Sequence, residues 1–378
     1  MRLGFDAKRL FHNATGLGNY SRTLLANLRA AHPELECFLY SPKSSENAFA
    51  LPFREDSGYV VRTATGWAAP LWRSFGVTRQ LRRDGVKLYH GLSHELPYGL
   101  HRGGISSVVT IHDLIYRRHP EWYPTVDRWI YDRKVHHACR EADRIIAISE
   151  HTQRDLVEFY GAPSERIDVV YQSCDPLFYT EADPAFPADA LTRYALPADF
   201  FLFVGSLTPR KNLPLILDAY LQLPPADRLP LLIVGRGTRY RDRLMAEARY
   251  RPLHPLLRWI DDLDDNRHLR QLYRRARAVL YPSHYEGFGL PVAEALLSRT
   301  AVVTSTVSSL PEAGGPGALL VDPNRPEEMA AALHRLLHDN ALRDRLISAG
   351  HAYAHARFGA AATTEALMES YRRALETR

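Results

Sequence analysis

Two glutamates, Glu286 and Glu294, stand in the stretch from Tyr281 to Leu296, which reads Tyr-Pro-Ser-His-Tyr-Glu-Gly-Phe-Gly-Leu-Pro-Val-Ala-Glu-Ala-Leu. Ala278 to Tyr281 has the look of a strand, and Leu290 opens a helix whose Pro291 suits a first turn, where a missing N–H costs nothing. Glu286 then hangs in the loop at the strand's carboxyl end, and Glu294 sits about one turn into the helix. Either glutamate alone reads as a surface charge. As a pair around a helix start they fit a ligand whose hydroxyls need acceptors and whose phosphate needs backbone N–H groups.

A second constellation is Phe203 to Leu213, in which Arg210 and Lys211 precede a helix. Two cations and a helix N-terminus would converge there on an anionic leaving group, with simple surface solvation as the plainer reading. The run Asn13 to Tyr20 puts Gly16 and Gly18 between a strand and a helix; a Gly-x-Gly alone can be no more than a tight turn. At the end of another strand stand His112 and Asp113, and a lone histidine is more often structural than catalytic.

The elements that must position these groups alternate along the chain. Strands are predicted at Arg2 to Phe5, Cys37 to Tyr40, Leu88 to His90, Ser107 to Ile111 and Arg144 to Ile148, with helices from about Asn19 to Ala31 and after a Ser149 cap to Phe159, ended by Gly161. Short apolar runs alternating with helices imply a parallel sheet covered on both faces. Asp175 to Pro197, rich in Pro, Ala and Asp, reads as a linker. The pattern restarts with strands at Phe200 to Val204, Pro230 to Val234, Leu256 to Ile260, Ala278 to Tyr281, Ala301 to Thr304 and Ala318 to Val321. Helices are predicted at Leu213 to Leu223, Asn266 to Ala276, Leu290 to Leu297, Pro326 to His338, Leu342 to Phe358 and Ala361 to Leu375. The fold class is therefore α/β: two doubly wound parallel-sheet Rossmann-like domains facing a central cleft onto which the carboxyl ends of their strands open. The domains are expected at 1–178 and 179–357, with 358–378 a C-terminal helix packing back on the first.

With 378 residues, 46% of them hydrophobic, the chain can bury two cores. The N-terminus carries Arg2, Asp6, Lys8 and Arg9 and leaves no signal-peptide run; no window approaches the roughly 20 apolar residues of a membrane span, so a cytoplasmic protein is expected. Cys37, Cys139 and Cys174 form no Cys-x-x-Cys pair and read as small buried residues. Most of the net charge of +5 lies in the second half, scattered through positions such as Arg270, Arg274, Arg275 and Arg277, a pattern typical of a solvated helix face. No aromatic-interleaved basic stripe points to nucleic acid. Asp261 to Asp265 contains an Asp-x-Asp spacing, but these residues read as the cap of the helix at Asn266, and no metal is expected.

The string of glutamate, seven residues and glutamate resembles the signature of the family 4 retaining glycosyltransferases, which have the GT-B fold. Phe5 to Tyr20, Val108 to Asp113 and Phe203 to Asn212 resemble that family's opening strand with its glycine loop, its His-Asp strand and its phosphate motif, so the resemblance spans nearly the whole chain. It implies that Glu294 holds the ribose hydroxyls of a nucleotide and Glu286 those of the transferred sugar. Gly287 and Gly289 would let the main chain approach, with the amides of Phe288, Gly289 and Leu290 facing the diphosphate. Gly16 and Gly18 would lie over the phosphates, and His112 beside the sugar. Asp113 would orient His112 or contact the acceptor, and Asn19 is a further acceptor candidate. Many members carry Arg directly after the first glycine of the phosphate motif, where this chain has Ser206. Lys211 is then the surest phosphate ligand, and Arg210 either fills the missing role or points away.

The same resemblance implies metal-free, front-face hexosyl transfer with no cofactor, and domain closure that excludes water. The combination of the phosphate motif with His-Asp-Leu resembles the mannosyltransferase-like branch, so GDP-mannose leads as donor. A saccharide or lipid-linked saccharide of polysaccharide biosynthesis would be the acceptor, met peripherally at the inner face of a membrane. The alternatives are a UDP-glucose-type transferase, a nucleotide-sugar epimerase, and a non-catalytic nucleotide-sugar binder.

Overall fold

The computed structural model describes all residues except 44, 46, 48, 57, 65–70, 181–191, 264 and 378. The linker expected at Asp175 to Pro197 therefore lies partly outside the described residues, as does Asp264. Two compact units divide the chain: one holds Met1–Ser173 and Ala360–Arg378, the other Cys174–Gly359.

The first unit is built on seven parallel strands: β1 (Arg2–Asp6), β2 (Glu36–Ser41), β3 (Tyr59–Thr63), β4 (Leu88–Gly91), β5 (Ser106–Ile111), β6 (Arg144–Ala147) and β7 (Ile167–Val169), in the order β3-β2-β1-β4-β5-β6-β7. Every residue of β4 and β5 is buried, as a strand covered by helices on both faces requires. The order reverses between β1 and β4, and ligands of such sheets bind outside the carboxyl ends of the strands at that reversal. The final helix, Ala360–Glu376, lays Leu367, Tyr371 and Ala374 into the core around β1, β2 and β4.

The second unit has six parallel strands: β8 (Phe201–Val204), β9 (Leu231–Val234), β10 (Leu257–Ile260), β11 (Ala278–Tyr281), β12 (Val302–Ser305) and β13 (Ala318–Val321), ordered β10-β9-β8-β11-β12-β13. Its reversal falls between β8 and β11, the two strands that lead into the Arg210-Lys211 and Glu286 loops. The tandem of Rossmann-like sheets is the GT-B fold.

Local chemistry sets the element ends. Ser149 accepts from the Thr152 amide at 3.0 Å to start the helix Glu150–Tyr160, and Gly161 ends it in the left-handed region at φ 57°. Asp265 caps the helix Asn266–Arg275 through the Arg267 amide at 2.8 Å. All three cysteines are buried and free.

Several elements differ from the sequence expectation. The edge strand β3 and the helices Val77–Arg83, Thr125–Glu141 and Thr238–Ala246 had not been anticipated. In the last of these only Leu244 is buried, so no apolar period marks it. Arg270 is not a solvated residue: it is buried and donates to the Thr180 carbonyl. Arg277 likewise donates to the carbonyls of Leu336 and Leu337 at 3.1 and 2.7 Å, whereas Arg274 and Arg275 are exposed.

Candidate functional site

At the reversal of the second sheet, β8 leads through Gly205 to the short 3-10 turn Pro209–Lys211, which Asn212 ends in the left-handed region at φ 56°. The Asn212 side chain anchors the turn by donating to the Pro323 carbonyl at 2.7 Å. Lys211 is thereby carried inward and buried. Its Nζ donates to Glu286 Oε1 at 2.6 Å and to the Tyr281 hydroxyl, at the end of β11. The Arg210 guanidinium reaches the same Oε1 at 2.8 Å and the Tyr285 carbonyl at 2.6 Å, and the His284 amide donates to the Arg210 carbonyl at 2.9 Å. Arg210 thus points to the glutamate loop, while Ser206 is exposed.

Burial by itself would raise the Glu286 carboxyl, but Lys211 and Arg210 outweigh it and hold the group at about 2. Burial, with Arg210 adding to it, lowers the Lys211 ammonium, and Glu286 opposes both. Two cations share one carboxylate, so the cluster carries one net positive charge in a desolvated setting. Such a cluster suits an anion such as phosphate.

The loop after β12 fixes this arrangement from behind. Ser308 accepts from the Glu286 amide at 3.0 Å, and the Ser309 hydroxyl is placed to donate to the Glu286 and Phe288 carbonyls at 2.9 and 2.8 Å. These serines were missed in the sequence, where Val307-Ser-Ser-Leu310 offers no motif beyond its place at a strand's carboxyl end. Gly289, at φ 115°, begins the helix Leu290–Leu297, and a Cβ there would meet Leu310 at 2.9 Å. Gly287 and Leu290 flank that turn, and Phe288 turns inward against Phe358.

Glu294 is half-buried one turn into this helix and accepts from the Tyr273 hydroxyl at 2.9 Å. Burial, reinforced by the charge of Asp175, raises its carboxyl to about 7 against the opposing Tyr273 bond. The two glutamates of one motif are thus held on opposite sides of the usual carboxylate range.

In the first unit His112 lies at the end of β5, fully enclosed. Its Nε2–H donates to the Leu92 carbonyl at 2.9 Å and its Nδ1 accepts from the Gln172 amide at 3.1 Å, a tautomer assigned from the partners. Burial and the neighbouring His94 ring drive it down to about 3, so it is neutral at any working pH. The Leu92 carbonyl and the Gln172 amide orient it, and Asp113 accepts from the Ile115 amide at 3.2 Å. Tyr20 meets His112 edge-on at 4.6 Å and shares Thr110 with His90, whose other nitrogen bonds Tyr371 at 2.7 Å.

Gly16 and Gly18 also sit differently from expectation. The helix begins at Gly16, not near Asn19, so both belong to its first turn. A Cβ on Gly18 would lie 1.7 Å from the Asn13 carbonyl oxygen, and the Asn13 side chain takes the Thr15 and Gly18 amides at 2.8 and 3.3 Å. Exposed Asn19 accepts from Arg22 at 2.6 Å. The expected residues therefore fall into two sets, one beyond the carboxyl ends of β1 and β5 in the first unit and one at the sheet reversal of the second.

Residues 195–353 match the family model of Glycosyl transferases group 1, and residues 14–176 match that of Glycosyltransferase Family 4. The chain belongs to the family 4 glycosyltransferases. It is 29% identical to the O-antigen chain mannosyltransferase B of Escherichia coli, over 94% of this chain and 95% of that protein. The D-inositol 3-phosphate glycosyltransferase of Nocardia farcinica is 37% identical over 66% of this chain and 56% of its own length. Among solved structures, the sucrose-phosphate synthase of Thermosynechococcus elongatus superposes with a TM-score of 0.79 at 21% identity, covering 100% of each chain. The Anabaena HepE protein, solved with UDP-glucose, gives 0.77 at 18% identity over 98% of this chain and 99% of its own. At those identities the structural likeness speaks for the fold.

Because Glu286 balances two inward-facing cations, the transferase should lose about 3–5 kcal/mol of stability in Glu286→Gln. The carboxyl's folded value lies below its ordinary 4.5, so its contribution is present above pH 4.5 and fades as pH falls toward 2. Denaturant melts of wild type and variant at pH 7 and pH 3 check this; a gap that does not narrow at pH 3 contradicts it.

Proposed function

We propose that this glycosyltransferase moves a hexose, with retention of configuration and without a metal, from a nucleotide diphosphate sugar to a saccharide or lipid-linked saccharide of polysaccharide biosynthesis. The observation that carries the reading is the buried Lys211-Arg210-Glu286 cluster at the sheet reversal, beside the Gly289 helix start. Its net positive charge matches a diphosphate, and a protein-supplied cation pair does what a divalent ion would do for the leaving group.

In this reading Lys211 and Arg210 take charge as it builds on the departing phosphate, and the amides of Phe288, Gly289 and Leu290 share it. Glu286 accepts hydroxyls of the sugar and Glu294 those of the ribose. Neutral His112 adjoins the sugar, Gly16 and Gly18 cover the phosphates, and Asn19 and Asp113 face the acceptor. The bond from the anomeric carbon to phosphate breaks, the acceptor oxygen bonds to that carbon on the same face, and the acceptor proton leaves with the phosphate oxygen.

GDP-mannose is the donor favoured, because the E. coli mannosyltransferase matches along nearly the whole chain. A UDP-sugar is the second reading, supported by the UDP-glucose found with HepE, a relative in fold only. Incubation with a panel of nucleotide sugars and a saccharide acceptor in EDTA should release GDP from GDP-mannose, and NMR of the product should give the donor's anomeric configuration. Activity lost in EDTA and restored by magnesium or manganese, or an inverted product, would sink the reading.

The two glutamates should separate by pH. Glu294→Gln mimics the protonated carboxyl, so it should weaken nucleotide diphosphate binding by about 1.5–3 kcal/mol at pH 8 and far less at pH 6, below the value of about 7 that burial gives Glu294. Glu286→Gln should leave that affinity unchanged or tighter, since it frees two cations, and show its loss in turnover. Calorimetry on both variants at both pH values is the check; equal, pH-independent losses would reverse the role assignment.

Contact with the acceptor is proposed to occur at a bilayer surface. No helix among the described residues is long and apolar enough to cross a membrane. The helix Thr125–Glu141, however, exposes Val126, Trp129 and Ile130 on one stripe, with Arg133 over the Trp129 ring at 5.0 Å. The stripe continues through His137 to Tyr98 and exposed Phe75, stacked at 4.0 and 4.9 Å. Aromatic and aliphatic side chains flanked by arginine suit the interface plane. Sedimentation with anionic vesicles should fall about tenfold in Trp129→Glu/Ile130→Glu with nucleotide binding intact. Equal sedimentation, or wild type that survives a high-salt wash in the membrane pellet, would refute a peripheral contact through this face.

A further inference from the structure

A side-chain cluster on the outer surface of the second unit is unrelated to the donor loops. The helix Pro326–His338 buries Met329, Ala330, Ala332, Leu333 and Leu336, which leaves His334 and His338, four residues apart, together on its outer face. Their rings lie 4.4 Å apart. Opposite them is Asp227, the last residue of the turn Pro225–Asp227 that leads toward β9. Its two carboxylate oxygens stand 3.0 Å from His338 Nε2 and 3.8 Å from His334 Nε2. One ligand atom from each of the three residues lies within 4.8 Å of the others.

The setting holds these groups ready. Pro224 and Pro225 stiffen the turn, and the Asp227 amide closes it on the Pro224 carbonyl at 2.9 Å. Arg228, adjacent in sequence, is turned away and donates to the Leu223 and Leu221 carbonyls at 2.9 and 3.1 Å. Asp339, next to His338, is committed to the Leu342 amide at 2.8 Å as a helix cap. The Asp227 side chain is 15% exposed and each imidazole 55%, so the carboxylate is fixed and the histidines remain open to an ion from solvent.

We propose that Asp227, His334 and His338 form a binding site for a divalent ion of the zinc class. Two imidazoles and one carboxylate are the donor set such ions take, with water completing the shell, whereas magnesium and calcium prefer oxygen alone. The ion would fasten the turn before β9 to a helix more than a hundred residues later in the chain. Its role is structural: it stabilises the second unit and takes no part in transfer, so the proposal does not depend on the donor or the acceptor.

The alternative is a plain pair of histidine–aspartate hydrogen bonds with no metal. Chelator-treated wild type, titrated with zinc sulfate in a calorimeter at pH 7.5, should bind one ion whose affinity drops about tenfold or more in His338→Gln, in His334→Gln and in Asp227→Asn. Zinc should also raise the Tm of wild type and not of the variants, since an ion bound only to the folded chain stabilises it. Circular dichroism of the metal-free variants matching wild type shows that they fold. The same zinc stoichiometry and affinity in all four proteins would assign the ion to other histidines and overturn the proposal. So would the absence of zinc binding and of any zinc-dependent Tm shift in wild type.

Discussion

Everything around the Arg210-Lys211 and Glu286 loops follows from one electrostatic constraint: a carboxylate and two cations share a desolvated corner. An isolated ion of any of the three would cost several kcal/mol to bury there. Glu286 is tolerable because Lys211 and Arg210 both reach one of its oxygens, and Lys211 is tolerable because Glu286 and the Tyr281 hydroxyl accept hydrogen bonds from it. The backbone has to hold three loops in register for this to work. Asn212 locks the first in a left-handed turn, the His284 amide ties the second to it, and Ser308 and Ser309 brace the second from the third.

Burial then has opposite outcomes for the two glutamates, Glu286 buried and Glu294 half-buried. Burial pushes both carboxyls upward; only Glu286 has cations to reverse the push, while Glu294 has a tyrosine hydroxyl and a neighbouring aspartate. A neutral hydrogen-bond donor cannot compensate for lost hydration as a full charge does. One is therefore an anion at every physiological pH and the other titrates near neutrality, a division set by which loop each faces.

Much of this was legible in the residues, and the limit has a physical shape. The strand at Ala278–Tyr281 and the helix at Leu290–Leu297 were expected at those bounds because buried parallel strands and glycine-flanked helix starts leave strong local marks. The serines after β12 left none, because a hydroxyl that braces another loop's backbone obeys no spacing rule. Nor did the chain of Tyr371, His90, Thr110 and Tyr20, which joins residues 281 apart in its first link. The helix Thr125–Glu141 escaped because its apolar residues are divided between a buried face and an exposed one, which blurs the period that a one-sided helix displays.

The sequence left open whether Arg210 points toward the glutamate loop or away from it, beside the serine that stands directly after Gly205, and the structure shows its direction. Ser206 is exposed, and Arg210 turns into the cluster. An arginine at position 206 would bring its charge from the strand end, on a segment separate from Lys211. Placing both cations on the single turn Pro209–Lys211 makes them move together, and the Asn212 anchor to Pro323 governs both. Positive charge at this corner is thus conditional on one backbone turn, and the strand end keeps no bulky side chain. What the chain gives up in independent placement it regains in rigidity, since a planar guanidinium bonded to both a carboxylate and the Tyr285 carbonyl has little freedom left.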